Sequence, residues 1–224
     1  YLDADDLLIS EKIEIQLQAL LVQNADVAYG DWQKVRTENN QLTISETIER
    51  KIDGDLEIAL FTYFWCPPAA ILYSRGLCNR LKWNENLPVI QDARYFLDAA
   101  IAKGKFVYTK GIMAKYRTAQ LSSLSQKSDL NFVRDLYENT KGIYSIWKAD
   151  VDTDKKMAII KSLRHCIYRL SVLDKSLAKE AIEFLLQIEP YYLPPEKGFL
   201  RALSKIIGYE SAEKVAGFKR AIKS

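Results

Sequence analysis

Two of the residue types that most often carry chemistry are scarce in this chain. Histidine occurs once, at position 165, and cysteine three times, at positions 66, 78 and 166. The cysteines are far apart and form no Cys-x-x-Cys pair, so neither a zinc cage nor a disulfide framework is expected, and a reducing, cytoplasmic setting suits them best. His165 falls within the apolar periodicity of Leu163 to Leu170 and reads as a packing residue. Long apolar runs are also missing. The longest, 59–73, contains Pro67 and Pro68 and is too short and broken to span a bilayer. No signal-peptide pattern is present. Neither sign of charge dominates: the formal net charge is +3, and no basic tract is interleaved with aromatics, so no nucleic acid partner is expected.

What is present suits a globular domain of moderate size or a domain with an extension: 224 residues, 48% hydrophobic and 27% charged. The first part, 1–125, alternates strand and helix signals. After Ser10, a candidate helix cap, Ile13, Leu17, Leu20 and Leu21 recur at helical spacing, which predicts an amphipathic helix covering one face of a sheet. Residues 26–35 read as a strand with an irregular middle at Gly30-Asp31-Trp32, with 41–44 as a short partner and 45–55 as a surface excursion. Asp55 caps a predicted helix over 56–63, and 69–73 reads as a buried strand after the extended Cys66-Pro67-Pro68. A helix is predicted from Asp92 to a stop at Gly104, followed by two short strands, 106–108 and 112–116, and a polar loop over 118–128. From 126 to 224 strand signals vanish and helical periodicity takes over, so an α/β body followed by an all-helical C-terminal extension is expected. The chain opens at what reads as the end of a buried strand, which leads us to expect a missing N-terminal portion.

The opening stretch Tyr1-Leu2-Asp3-Ala4-Asp5-Asp6 places three carboxylates within four residues. Ionised carboxylates this close repel, so an ordered arrangement calls for a divalent cation, helix-terminal N–H groups or solvation. Oxygen-only ligands favour a hard ion such as Mg²⁺ or Mn²⁺, which is commonly completed by substrate phosphates.

In order along the chain stand YLDADD, VAYGDW at 27–32, PPAAILYSR at 67–75, LPVIQDARYFLDAAIAKG at 87–104, KYR at 115–117 and SLS at 123–125. This ordered set resembles the inverting family-two nucleotide-sugar glycosyltransferases, over about the first 125 residues. The resemblance implies a GT-A-like (Rossmann-like) mixed sheet, here N-terminally incomplete, and transfer of a sugar from a nucleotide-diphosphate donor to an acceptor hydroxyl with inversion. It implies that Asp3 and Asp5 form the DxD pair that holds Mn²⁺ or Mg²⁺, that Asp6 supports them, and that Arg117 reaches the donor diphosphate, as do Gln120 and Ser122. Asp92 falls at the family's general base, where Gln91 replaces the usual preceding acid. Trp83, Glu85 and Arg94 are the implied acceptor contacts; a core role for Trp83 and an N-cap role for Asp92 are the structural alternatives. The acceptor class stays open among sugar, polysaccharide, lipid-linked and protein hydroxyls. The family often carries a histidine after this point, and this chain has none there.

A second reading takes the chain as a non-catalytic helical interaction or membrane-surface module. Residues 196–224 carry seven basic side chains against three acidic ones, a net of +4, which suits peripheral contact with anionic lipid or a solvated face.

Overall fold

The computed structural model describes residues 1–38, 41–118, 128–149 and 152–221. The chain divides into two compact units, Tyr1–Lys127 and Ser128–Ser224. The domain boundary expected at 125/126, most of the polar loop expected over 118–128, and Gln120 and Ser122 within it lie outside the described residues.

The first unit is α/β, built on a mixed open sheet. Its centre is β2 (Val27–Glu38), which pairs in parallel with β5 (Phe106–Arg117). Along the other edge of β2 lie, both antiparallel, β4 (Ile71–Tyr73) and then β3 (Gln41–Ile48); the short β1 (Leu7–Leu8) pairs with the far end of β5. The β2/β5 register shifts on both sides of Asp31, as the Gly30-Asp31-Trp32 step suggested. Glycine is required there: a Cβ on Gly30 would lie 2.7 Å from Thr109 O, and Gly111 adopts φ +112° in the facing strand. Because that irregularity is absorbed locally, 106–117 forms one strand rather than the two expected.

Helices α1 (Lys12–Gln23), α2 (Leu56–Thr62), α3 (Arg75–Cys78) and α4 (Gln91–Ile101) accompany the sheet. Asp55 caps α2 through Ile58 N, as expected. Several local expectations need correction. Glu11, not Ser10, is the cap residue of α1, and the Ser10 hydroxyl donates to Glu11 instead. The predicted apolar stripe of α1 faces outward at Ile13, Leu17 and Leu21, while Lys12, Gln16 and Leu20 point inward. The reason is backbone need: Lys12 Nζ donates to Ile71 O and Gln16 Nε2 to Ala70 O, where a 3₁₀ turn over Pro68–Ala70 interrupts the strand predicted for 69–73. β3 runs on to Ile48, through part of the predicted excursion. Helix α4 ends with Lys103, not Gly104, in the left-handed region, whereas Gly104 is needed for close approach, since a Cβ there would meet Ala99 O at 2.9 Å.

The regular elements of the second unit are all helices among its described residues: α5 (Asp129–Trp147), α6 (Thr153–Leu173), α7 (Lys175–Ile188), α8 (Phe199–Ile207) and α9 (Tyr209–Ala221), with an irregular stretch over 189–198. Ser128 caps α5 and Asp152 caps α6. Asp174 both ends α6 and caps α7, folding the chain back within one residue. Val133, Ile143, Ile159, Leu163, Ile167, Leu170 and Leu185 are fully buried at helical spacing. His165 is exposed, so the packing role expected for it does not hold. Among the described residues no helix is long and apolar enough to cross a membrane.

Candidate functional site

The acidic segment and the start of α4 meet beside the carboxyl-terminal ends of the parallel strands β2 and β5, the end at which open α/β sheets bind ligands. Two contacts anchor the acidic segment. Asp6 Oδ1 accepts from Arg117 N at 2.9 Å, which fastens the segment to the last residue of β5. The Tyr1 and Tyr95 hydroxyls are hydrogen-bonded at 3.1 Å, which fastens its start to α4, one turn beyond Asp92.

Asp92 is the second residue of α4, and Ile90 occupies the cap position, so the capping alternative does not describe it. Its Oδ2 accepts instead from the indole N–H of Trp65 at 3.0 Å. The Trp65 ring meets Tyr116 edge-on at 5.2 Å and Trp32 at 6.1 Å. Tyr116 thereby stands among Asp6, Asp92, Asp3 and Asp5, whose charges add to burial in raising its phenol pKa.

Burial and neighbouring charge both act on these acids. Asp3 is held above the ordinary carboxylate range, first by desolvation and then by the neighbouring charges of Asp92 and Asp5. Asp6 is pushed up to about 6, mainly by burial, against the opposing hydrogen bond from Arg117. Asp6 Oδ2 and Arg117 Nε are buried without a hydrogen-bond partner among the described residues. The site is thus an accumulation of negative charge whose mutual repulsion the described residues only partly relieve.

That donor set bears on the expected metal. Among the described residues no group of three or more His, Cys, Asp or Glu side chains could hold an ion by itself. Asp3 and Asp5 supply hard oxygen donors with uncompensated charge, which fits Mg²⁺ or Mn²⁺ if the remaining ligands come from substrate phosphate and water.

The implied acceptor residues diverge. Trp83 stacks on Tyr95 at 4.3 Å and meets Tyr1 edge-on at 4.9 Å, so it buttresses the contact between the acidic segment and α4. Arg94 Nε donates to Asp98 Oδ1 one turn along the helix. Glu85 is exposed in the loop before α4. Sequence reasoning passed over Trp65, Tyr116 and Tyr1. Trp65 lies just beyond α2 and no local spacing relates it to Asp92, whereas Tyr116 stood within the KYR segment without a role of its own. An open groove of ≈ 440 Å³ on the outer side of α1, lined by Ile13, Leu17, Leu21, Leu72 and Tyr73, contains none of the candidate residues. No protein-family model matches this chain, and no curated protein matches it.

Proposed function

We propose that this chain belongs to an inverting, metal-dependent nucleotide-sugar glycosyltransferase of GT-A type. The observation that carries the reading is that Asp92, held by Trp65 against Tyr116, and the acidic segment, fastened at Asp6 to Arg117 and at Tyr1 to Tyr95, come together, since two acids from remote parts of the chain have separate tasks in such a reaction. The mixed parallel and antiparallel sheet is compatible with it.

In this reading the acceptor hydroxyl attacks the anomeric carbon, Asp92 takes the hydroxyl proton, and the bond from that carbon to the diphosphate oxygen breaks on the opposite face, which inverts the centre. A hydroxyl is a poor nucleophile, so the base has to be held in place. The Trp65 indole does this by occupying Oδ2 and leaving Oδ1 to face the acceptor. Asp3 and Asp5 would hold Mn²⁺ or Mg²⁺, which when bound with the donor offsets the charge gathering on the diphosphate. In this reading Arg117 serves the same diphosphate, and Asp6 fixes Arg117 through its backbone. Of the implied acceptor residues, Glu85 is the exposed one, in the loop before α4, and it would meet the acceptor, while Trp83 supports the site by packing on Tyr95 and Tyr1.

The test is sugar transfer by the protein that carries this chain, over a panel of nucleotide-sugar donors with Mn²⁺ present. Asp92→Asn is expected to lower turnover by about 10²–10⁴-fold with donor binding retained. Asp5→Ala is expected to abolish the Mn²⁺-dependent part of nucleotide binding measured by calorimetry. Unchanged turnover in Asp92→Asn, or unchanged metal dependence in Asp5→Ala, would remove that residue's role.

A further inference from the structure

The C-terminal helix pair turns its apolar surface the wrong way for a helix packed on a bundle. In α8 the one fully inward side chain is Ser204, which bonds back to Leu200 O, while Arg201 donates to Pro194 O. Phe199 and Ile206 point outward, at 56% and 80% exposure. In α9 the buried face is Tyr209, Ala212 and Glu213, and Val215 and Phe218 are exposed, Phe218 at 68%. Lys219 Nζ lies 5.2 Å from the centre of the Phe199 ring, so the outward sides of the two helices come together at that point. A helix of such strong amphipathicity with its apolar side in solvent lacks the medium that side is built for.

Charge identifies the medium. Every acid of 196–221 is already matched: Glu196 by Arg164, Glu210 by Lys214 and Glu213 by Arg220. Lys197 and Lys205 have no ion-pair partner among the described residues, and Lys219 has only the Phe199 ring. The uncompensated charge around this apolar surface is therefore wholly positive. The other outward apolar helix face, on α1 at Ile13, Leu17, Leu21 and Val22, differs: its single lysine, Lys12, is buried and the exposed charges beside it are Glu11 and Glu14.

We propose that the α8–α9 surface docks on an anionic lipid bilayer, with Phe199, Ile206 and Phe218 entering the boundary between headgroups and acyl chains and Lys197, Lys205 and Lys219 lying at the lipid phosphates. This proposal rests on the helical unit alone and is independent of the transfer reading.

The experiment is co-sedimentation of the 224-residue chain with vesicles of phosphatidylcholine alone or mixed equally with phosphatidylglycerol. Binding is expected on the mixed vesicles at low salt, with loss of that preference at high salt. The triple variant Phe199→Ser/Ile206→Ser/Phe218→Ser changes only exposed side chains, and circular dichroism checks its helicity. It is expected to bind at least about tenfold more weakly. Lys197→Gln/Lys205→Gln/Lys219→Gln is expected to lose about fivefold per lysine removed. Failure to bind the mixed vesicles, equal binding by all three proteins, or equal binding to both kinds of vesicle overturns the proposal. So does a dimer in sedimentation velocity that the apolar variant dissolves while no protein pellets with lipid, because the face would then serve a second copy of the chain.

Discussion

The α/β unit and the helical unit bury polar side chains for different ends. In the first, Lys12, Gln16 and Asp31 lie in the interior because the backbone beside them is irregular. The 3₁₀ turn at Pro68–Ala70 and the bulge around Gly30 and Gly111 leave carbonyls and N–H groups outside any ladder, and these side chains meet them. In the second, regular helices satisfy their own backbone, and a buried hydroxyl such as Thr140 bonds to Leu136 O in the turn before it. Inward positions there are free to be apolar. Irregular backbone thus decides which polar side chains the first unit takes inside, whereas regular helix in the second leaves that choice to packing.

Three variants test that contrast. The largest effect is expected from Leu163→Ala in the helical unit, where a fully buried side chain is removed from a close-packed interior. The loss should be about 3–4 kcal/mol by urea denaturation, from the lost transfer free energy together with the cavity left behind. Asp31→Asn keeps size but turns one oxygen into a donor, although Oδ1 now accepts from Arg50 N and Tyr108 Oη and Oδ2 from Gly111 N. One donor would then face another, at a cost of about 2 kcal/mol. If this variant were neutral, the claim that buried polar groups hold the irregular strands together would fail.

The smallest effect, and of opposite sign, belongs to Lys12→Met. Burial lowers the Lys12 pKa to about 8, so the folded state favours the neutral amine while the unfolded chain keeps the ordinary lysine affinity for the proton. Between about pH 8 and the normal lysine range the unfolded state binds more protons, and wild-type stability gains a contribution as pH rises. Methionine removes both the penalty below pH 8 and that slope, at the loss of one hydrogen bond to Ile71 O. A net gain of about 1 kcal/mol at pH 7 is expected, with the two proteins converging when unfolding is followed from pH 7 to 9.5. Parallel curves would mean that Lys12 does not change its charge in that window.

Much of this fold is legible locally, since capping and periodicity are short-range properties. Asp55, the irregular step at Gly30-Asp31-Trp32, and the helices of the second unit all follow from a few neighbouring residues. The errors arose where a distant partner overrode the local signal. The apolar stripe of α1 points outward because carbonyls more than fifty residues away claim Lys12 and Gln16. The site divides in the same way. Asp3, Asp5, Asp6 and Asp92 stand out as acids in telling places, but Trp65, which holds Asp92, and Tyr116, which packs on Trp65, carry no local mark of that role.

Taken by itself, the sequence determined the kinds of element, the change from mixed to helical character, and which carboxylates were candidates for chemistry, because propensity and spacing are carried by neighbouring residues. That α4 is joined to the acidic segment, that an indole holds Asp92, and that α8 turns its apolar side outward came from the assembled molecule. Those outcomes depend on which backbone groups were left needing partners once the strands had paired, a quantity that exists only in the assembled fold.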